Sequence, residues 1–263
     1  MVKLGFLGSG NMAGALATAA SRTGKAELIM SNRTHAKAVA LAEKLGGTAA
    51  DNETVAQQGE YLFIGVKPQF TEGLLAQIKP ILDARKDRFV LVSMVAGWDI
   101  ERIQKFAGDY PVIRIMPNTP AMVGEGMTLY TPSAEVTEEE MAKFLELMEL
   151  SGRFSKLPEH LIAPACGITG CGPAFADLFI EALADGAVAC GVPRAEALEY
   201  AAQMLMGSAK LALETKKHPG QLKDEVCSPG GTTIEGVIAL EKAGFRAAVI
   251  SAVRATVEKT SKL

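Results

Sequence analysis

Short, almost uninterrupted apolar runs alternate with helical patterns from residue 1 to residue 156, and this alternation limits the fold more than any other feature. Strands that are apolar along their whole length are typical of parallel sheets, because helices cover both faces of such a sheet. The alternation therefore predicts a doubly wound α/β sheet. The predicted strands are "KLGFL", "AELIMS", "YLFIGV", "FVLVSMV" and "PVIRIM".

The pattern changes after "RFSKLP". From Glu159 to Leu263 the sequence predicts no strand, and it is rich in Ala, Leu and Met, with Gly and Pro at the predicted helix ends. We therefore expect two domains, an α/β domain at residues 1–156 and an all-helical domain at residues 157–263.

Charge and composition argue against several classes of partner and site. The net charge is −3, so we expect neither nucleic acid nor an anionic membrane surface as a partner. No apolar run approaches the roughly 18 residues that cross a bilayer. The cysteines and histidines lack metal-ligand spacing, so we expect no metal. The four cysteines are expected to be buried thiols in a reducing compartment, which favours the cytoplasm.

A glycine-rich turn follows the first predicted strand and begins the first predicted helix. In "LGFLGSGNMAGAL", Gly8, Gly10 and Ala13 match the GxGxxA pattern of dinucleotide-binding domains. The glycines let the backbone approach a pyrophosphate, and Ala13 lets the helix pack closely on the strand. An ordinary strand–helix turn is the alternative, but the further strand–helix units that follow favour a Rossmann-like dinucleotide site.

The end of the second predicted strand distinguishes between two cofactors. An NAD site usually has Asp or Glu there, which accepts a hydrogen bond from the ribose 2′-hydroxyl. This chain has Ser31, Asn32, Arg33 and Thr34, a cation and hydroxyls without a carboxylate. The segment therefore favours the 2′-phosphate of NADP, and a solvated surface arginine is the alternative interpretation.

Two further strand ends are expected at the same crevice, because ligands of open α/β sheets bind at the carboxyl ends of the strands. Lys67 and Pro68 end one strand, and Gly97 follows another. Lys67 could contact a phosphate or a ribose. The alternative is a surface lysine before a turn, and position alone does not decide between them.

The second domain lacks the group that alcohol oxidation normally needs. Hydroxyacid dehydrogenases of this layout place a lysine on a helix of the second domain as a general base. The corresponding segment, "CGPAFADLFIEALADGAVACG", has no Lys or His. Its acidic residues Asp177, Glu181 and Asp185 are expected to form a solvated or interface face. A protonated imine, whose carbon is already electrophilic, fits a site without an acid–base residue.

The segment "CSPGGTTIEGVIALEKAG" predicts a loop at a helix N-terminus. Pro229 and the two glycines place free backbone N–H groups there, which could bind one carboxylate. Ser228, Thr232 and Thr233 add hydroxyl groups, one of which could reach a ring nitrogen. A simple capped helix start is the alternative.

The whole chain resembles the pyrroline-5-carboxylate reductase family. The motifs, in order, are "GFLGSGNMAGAL", "NRT", "VKPQ", "RIMPNTPAMVGEG", "GCGPAFADLFIEAL" and the most specific one, "LKDEVCSPGGTTIEGVIALE". The resemblance implies NAD(P)H-dependent reduction of the cyclic imine 1-pyrroline-5-carboxylate to L-proline, the final step of proline biosynthesis. Hydride would pass from nicotinamide C4 to the imine carbon.

The resemblance also implies roles for individual residues. Thr233 matches the threonine whose hydroxyl faces the imine nitrogen, and Glu159 matches a glutamate near the substrate pocket. The other implied substrate residues are Ser228, Gly230, Gly231 and Thr232. The implied cofactor residues are Leu7, Gly8, Ser9, Gly10, Asn11, Met12, Ser31, Asn32, Arg33, Asn52, Gly65, Val66, Lys67, Pro68, Met94, Val95 and Ala96.

The chain departs from the family pattern in one motif and in the segment "ACGIT" (residues 165–169) just before it, which is less typical of the family. Cys171 stands where the family commonly has serine, and Phe175 stands where it commonly has tyrosine. We expect both changes to preserve packing while removing any hydrogen bond from those hydroxyls, which affects the pocket more than the reaction.

Two other functions compete with this interpretation. One is an NADP-linked reductase of the same layout that acts on a related cyclic imine or on a hydroxyacid. The other is an NADP-sensing protein without activity. The resemblance further implies homodimers interleaved through the helical domain, often assembled into larger rings of dimers.

Overall fold

The computed structural model describes residues 1–260 and divides the chain into two compact units. The first unit comprises Met1–Gly170 and the described residues from Val257 onward, and the second comprises Cys171–Thr256. The sequence predicted a boundary at residue 156. The structural division lies later because the first helix after the sheet packs on a strand of the sheet.

The first unit contains an eight-stranded sheet in the order β3-β2-β1-β4-β5-β6-β7-β8. Strands β1 to β6 are parallel, β7 is antiparallel to β6, and β8 is parallel to β7. The predicted fold class is confirmed. The strands are β1 (Val2–Leu7), β2 (Ala26–Ser31), β3 (Thr48–Ala49), β4 (Tyr61–Ile64), β5 (Val90–Ser93), β6 (Val112–Met116), β7 (Gly126–Pro132) and β8 (Gly152–Lys156).

Helices connect the strands and continue into the second unit, and two short 3₁₀ helices occur at Thr119–Val123 and Glu149–Ser151. The α-helices are α1 (Asn11–Thr23), α2 (His35–Leu45), α3 (Asn52–Gln58), α4 (Pro68–Ala84), α5 (Ile100–Ala107), α6 (Glu138–Met148), α7 (Glu159–Thr169), α8 (Gly172–Ala189), α9 (Arg194–Thr215), α10 (Pro219–Val226), α11 (Thr232–Lys242) and α12 (Phe245–Thr260).

Two apolar cores lie on the two faces of the sheet. Every residue of β4 is buried, as expected for a central parallel strand. On one face the rings of Phe6 and Phe63, which are register partners on β1 and β4, stack with centroids 4.4 Å apart, and Phe144 of α6 packs beside them. On the other face Leu75 and Ile78 of α4 are fully buried.

Three strands were not predicted, each for a local reason. Strand β3 has only two residues, β7 mixes polar and apolar side chains, and β8 has two charged side chains and only one large apolar one among its five residues. All three lie outside the group of central strands β1, β4, β5 and β6. They lack the continuous apolar runs that identify a strand buried on both faces.

The second unit consists of helices and buries little by itself. Among its described residues only Ala184, Ala197 and Ala201 are buried. Large apolar side chains such as Leu178 and Ile250 are more than half exposed. Exposed apolar surface of this extent is typical of an interaction surface.

One helical stretch, Glu159–Ala189, is long and apolar enough to cross a membrane by length and composition alone. The apolar runs of the sequence did not predict a stretch of this length. The stretch is divided by a turn at Gly170 and Cys171 into α7 and α8. Core helices of soluble proteins meet the same criterion.

Arg85 joins the ends of two helices in the first unit. Its guanidinium is 3% exposed, and its Nη1 atom donates to the carbonyl oxygens of Ala56 and Gly59 at 2.6 and 2.7 Å. These carbonyls belong to the end of α3, which has no other cation to cap it in its last turn. The remaining guanidinium nitrogens hold Asp87 and lower the pKa of its carboxyl.

Replacing Arg85 by Lys should therefore lower the free energy of unfolding by roughly 2–3 kcal/mol, because an ammonium cannot reproduce the planar set of donors. Urea denaturation measures the change. Lys86→Ala is the matched control, since Lys86 is exposed and forms no ion pair among the described residues. An Arg85→Lys variant as stable as the Lys86→Ala variant would contradict the assigned role.

Candidate functional site

Two glycines bring the turns after β1 and β4 into direct contact. Gly8 has φ +97°, which an L side chain rarely adopts. A β-carbon at Gly65 would lie 2.5 Å from the carbonyl oxygen of Gly8 and 2.9 Å from the β-carbon of Ala13. No side chain fits at either glycine, so the carboxyl ends of β1 and β4 and the start of α1 are held close together.

The N-terminus of α1 is free to bind an anion. Gly10 occupies the position before the helix, and no side chain of the described residues caps it. A β-carbon at Gly10 would meet no atom within 4 Å, and Gly10 borders an open cleft. The arrangement fits a pyrophosphate group, which needs close approach to the backbone and a helix N-terminus.

A cleft of about 440 Å³ extends from this turn and carries positive charge. Arg33 and Lys67 both line it, and neither forms an ion pair with any residue that the structure describes. None of the described residues along its wall has a carboxylate. The predicted cofactor residues in the wall are Gly8, Gly10, Asn32, Arg33, Asn52, Gly65, Val66 and Lys67.

Other predicted cofactor residues lie near the cleft without lining it. Leu7 and Val95 are buried, so they can present only backbone groups to a ligand. Ser9 accepts a hydrogen bond from the Asn32 amide at 3.1 Å. The remaining residues are Asn11 and Met12 at the start of α1, Pro68 at the start of α4, and Met94 and Ala96 directly after β5.

Ser31 has a supporting position within this group. Its side chain is buried, and its hydroxyl donates to the Asn52 Oδ1 atom at 2.7 Å. The Asn52 amide in turn donates to Gln77 at 2.9 Å, and the Gln77 amide donates to Glu53. The Ser31 hydroxyl therefore orients Asn52 and is not directed at solvent. The polar side chains that follow β2 are the half-buried Asn32 and the exposed Arg33 and Thr34.

Sequence reasoning missed three residues of the wall, Phe70, Leu74 and Gln77, which all come from α4. They recur at helical spacing from the end of β4, so they share one face of α4. That spacing was the available signal. The cofactor predictions rested on the strand ends and the family motifs, neither of which includes these three side chains.

The predicted substrate loop forms a tight turn in the second unit. Pro229 and Gly230 are its central residues, Gly230 has φ +66°, and the Gly231 N–H donates to the Ser228 carbonyl at 3.0 Å. This is the pattern of a type II turn. The positive φ requires glycine at Gly230, and a β-carbon at Gly231 would displace the Ser228 hydroxyl.

The start of α11 offers uncommitted donors. No side chain of the described residues caps the helix at Gly231. The hydroxyls of Ser228, Thr232 and Thr233 form no hydrogen bond with any residue between 1 and 260, and all three residues are exposed. The backbone N–H groups of the first turn are suited to an anion, and the hydroxyls could bind a second polar group beside it.

Glu159 lies in the first unit and already has two partners there. Its Oε1 atom accepts from Arg114 Nη1 at 2.9 Å and from the backbone N–H of Ile100 at 2.8 Å. The Arg114 side chain is 9% exposed and that of Glu159 is 30% exposed. The carboxylate therefore anchors the start of α7 to β6 and α5, and its contact with a substrate stays a prediction.

The two departures from the family motif lie in the second unit. Phe175 lines an apolar pocket of about 420 Å³ with Phe179 and Phe245, whose ring centroids are 5.7 Å apart. Cys171 is a half-buried free thiol at the start of α8. Among residues 1–260, no cluster of His, Cys, Asp or Glu could hold a metal ion.

Replacing each glycine of the turn by Ala should separate folding from dinucleotide binding. Gly10→Ala should leave the unfolding free energy within about 0.5 kcal/mol, because the site has space and φ −76° suits alanine. It should weaken NADPH binding by roughly tenfold, since the methyl group occupies the space for the pyrophosphate.

Gly8→Ala is the matched control, and it should lose about 1–3 kcal/mol of stability because of its positive φ. Calorimetric titration with NADPH and urea unfolding measure the two effects. Unchanged NADPH affinity in the Gly10→Ala variant would contradict the pyrophosphate assignment.

Two family models match the chain, one in each half. Residues 3–97 match the model described as NADP oxidoreductase, coenzyme F420-dependent. Residues 159–263 match the model described as pyrroline-5-carboxylate reductase dimerisation. The second range begins at the first residue of α7.

Full-length relatives carry the same description. The chain is 44% identical to pyrroline-5-carboxylate reductase of Escherichia coli (strain K12), over 99% of this chain and 98% of the relative. The enzyme of Streptococcus pyogenes has a solved structure with a TM-score of 0.89 and 33% identity, covering 99% of this chain and 98% of that chain.

A third relative has been solved with NADP bound, the pyrroline carboxylate reductase of Plasmodium falciparum. Its TM-score is 0.88 at 30% identity, covering 98% of this chain and 97% of that chain. The resemblance inferred from the sequence motifs is therefore confirmed over the full length. The chain belongs to the pyrroline-5-carboxylate reductase family.

Proposed function

We propose that this protein reduces 1-pyrroline-5-carboxylate to L-proline with NADPH, the final step of proline biosynthesis. The observation that carries the proposal is the set of exposed, uncommitted hydroxyls and backbone N–H groups at the start of α11, in a chain of this family. When bound, the cofactor supplies a hydride from nicotinamide C4, which adds to the imine carbon of the protonated substrate.

NADPH is preferred over NADH in this proposal because of charge at the cleft. Arg33 is exposed directly after β2, where a carboxylate would otherwise bind the ribose 2′-hydroxyl of NAD. Its guanidinium can make two parallel hydrogen bonds to a 2′-phosphate. Asn52, oriented by Ser31, is placed to contact the adenosine ribose, and Lys67 adds a second positive charge.

The substrate is held by the turn before α11. The backbone N–H groups of Gly230 and Thr232 receive the carboxylate, with the Ser228 hydroxyl beside them, while the Gly231 N–H closes the turn onto the Ser228 carbonyl. Thr233 orients the ring nitrogen, whose N–H donates to the threonine Oγ1 atom. Glu159 contributes to the substrate pocket near Arg114.

Catalysis in this proposal consists of positioning and electrostatic preorganisation. The protonated imine needs no general acid at the moment of hydride transfer. Helix α8 accordingly has neither Lys nor His along its length. A hydroxyacid substrate, which would need a base, is therefore disfavoured.

The protein is proposed to act in the cytoplasm as a homodimer that uses the second unit, with assembly into larger rings of dimers. The support is the match of residues 159–263 to the dimerisation model and the exposed apolar side chains of α8 to α12. We expect neither nucleic acid nor a membrane as a partner.

The substrate is tested by the rate of NADPH oxidation with 1-pyrroline-5-carboxylate, measured beside a six-membered cyclic imine acid and beside NADH. Faster turnover with the five-membered ring and NADPH supports the proposal. Preference for the six-membered ring would change the substrate while keeping the mechanism. Binding of NADPH without turnover of either imine would favour the sensor function.

Replacing Thr233 by Val should lower kcat/KM roughly 10- to 100-fold, because the hydrogen bond to a charged nitrogen is lost while the side-chain shape is kept. The NADPH dissociation constant should stay unchanged. Thr233→Ser retains the hydroxyl and should stay within a few-fold of the wild type. A Thr233→Val variant with wild-type kcat/KM would remove Thr233 from the mechanism.

A further inference from the structure

Phe70 is an exposed aromatic side chain in the wall of the dinucleotide cleft. It lies in the first turn of α4 and is 45% exposed, although its neighbours Thr71 and Leu74 are buried. The packing of the first unit therefore does not use most of this ring. A large apolar group left exposed at a charged cleft suggests a role in ligand binding.

The ring lies against the cation that the proposed function assigns to the 2′-phosphate. The Arg33 Cζ atom is 4.9 Å from the Phe70 ring centroid, within the range of a cation–π contact. Arg33 makes no side-chain hydrogen bond or ion pair with any described residue. The Phe70 ring is thus the partner that the structure gives to this guanidinium.

The sheet topology explains why two residues so distant in sequence meet. Arg33 follows β2, and Phe70 follows β4, while β1 lies between these strands in the sheet. The contact therefore spans the carboxyl end of β1, directly beside the glycine turn that fits a pyrophosphate. A cation held at this point is close to the phosphates that it would recognise.

We propose that Phe70 is a positioning residue that sets the preference for a 2′-phosphorylated nucleotide by holding Arg33. The inference rests on the proposed NADPH preference and adds Phe70 as a residue on which that preference depends. A free arginine loses rotamer freedom when it binds a phosphate. A guanidinium already resting on an aromatic ring loses less, so the ring favours NADPH without touching the 2′-phosphate.

The test is a double-mutant cycle on the full-length protein, read as dissociation constants for NADPH and NADH. Phe70→Leu removes the ring and keeps apolar bulk, and Phe70→Tyr restores the ring. Phe70→Leu should weaken NADPH binding about two- to fivefold and leave NADH binding unchanged. Phe70→Tyr should bind both nucleotides as the wild type does.

The Arg33→Ala background identifies the route of the effect. There, Phe70→Leu should change the affinity for neither nucleotide, because the ring has no cation to hold. Equal weakening of NADPH and NADH by Phe70→Leu would overturn the inference and indicate that the ring stacks on the adenine. A Phe70→Leu effect on NADPH that persists without Arg33 would overturn it as well.

The outcomes also separate this inference from the proposed function. If Arg33→Ala lowers the NADPH preference and Phe70→Leu does not, only the role of Phe70 is wrong. If the wild type binds both nucleotides equally and Arg33→Ala changes neither affinity, the NADPH preference and the inference fail together.

Discussion

The contact between the turns after β1 and β4 is the constraint on which the candidate site depends. Backbone meets backbone at Gly8 and Gly65, with Ala13 filling the remaining space, so the ends of two central strands and the start of α1 are fixed relative to one another. Lys67 and the α4 wall of the cleft follow the end of β4, and Asn52 at the start of α3 is joined to this region by its hydrogen bonds with Ser31 and Gln77. The strand ends are thus positioned by main-chain geometry, while the side chains of Asn52 and Arg33 are oriented by Ser31 and Phe70.

The central sheet and the glycine turn were predictable from sequence because each has a strict local signature. Continuous apolar runs identify strands buried on both faces, and the GxGxxA spacing identifies the turn. Three details were not predictable. The inward direction of Ser31 depends on its hydrogen bond with Asn52. The ion pair of Glu159 depends on Arg114. The contact of Phe70 with Arg33 depends on the strand order. These are long-range contacts, which periodicity within one segment does not encode.

The two units differ in how many of their polar and apolar side chains find partners within the chain. In the first unit, Arg85, Arg114 and Asn52 have partners, whereas Arg33 and Lys67 line the cleft and form no ion pair with any described residue. In the second unit, the hydroxyls of Ser228, Thr232 and Thr233 have no described partner, and large apolar side chains are exposed on most of its helices. Charged side chains that line a cleft without an ion-pair partner indicate ligand recognition. Exposed apolar faces throughout a unit indicate association with another subunit.

The scarcity of buried side chains in α8 to α12 affects the stability of the folded protein. A unit that buries only three alanines cannot offset the conformational entropy of five helices by its own contacts. Its folding equilibrium is therefore linked to subunit association by mass action, and the stability of the active form rises with its own concentration. Dilution, in addition to heating, becomes a condition under which the second unit unfolds.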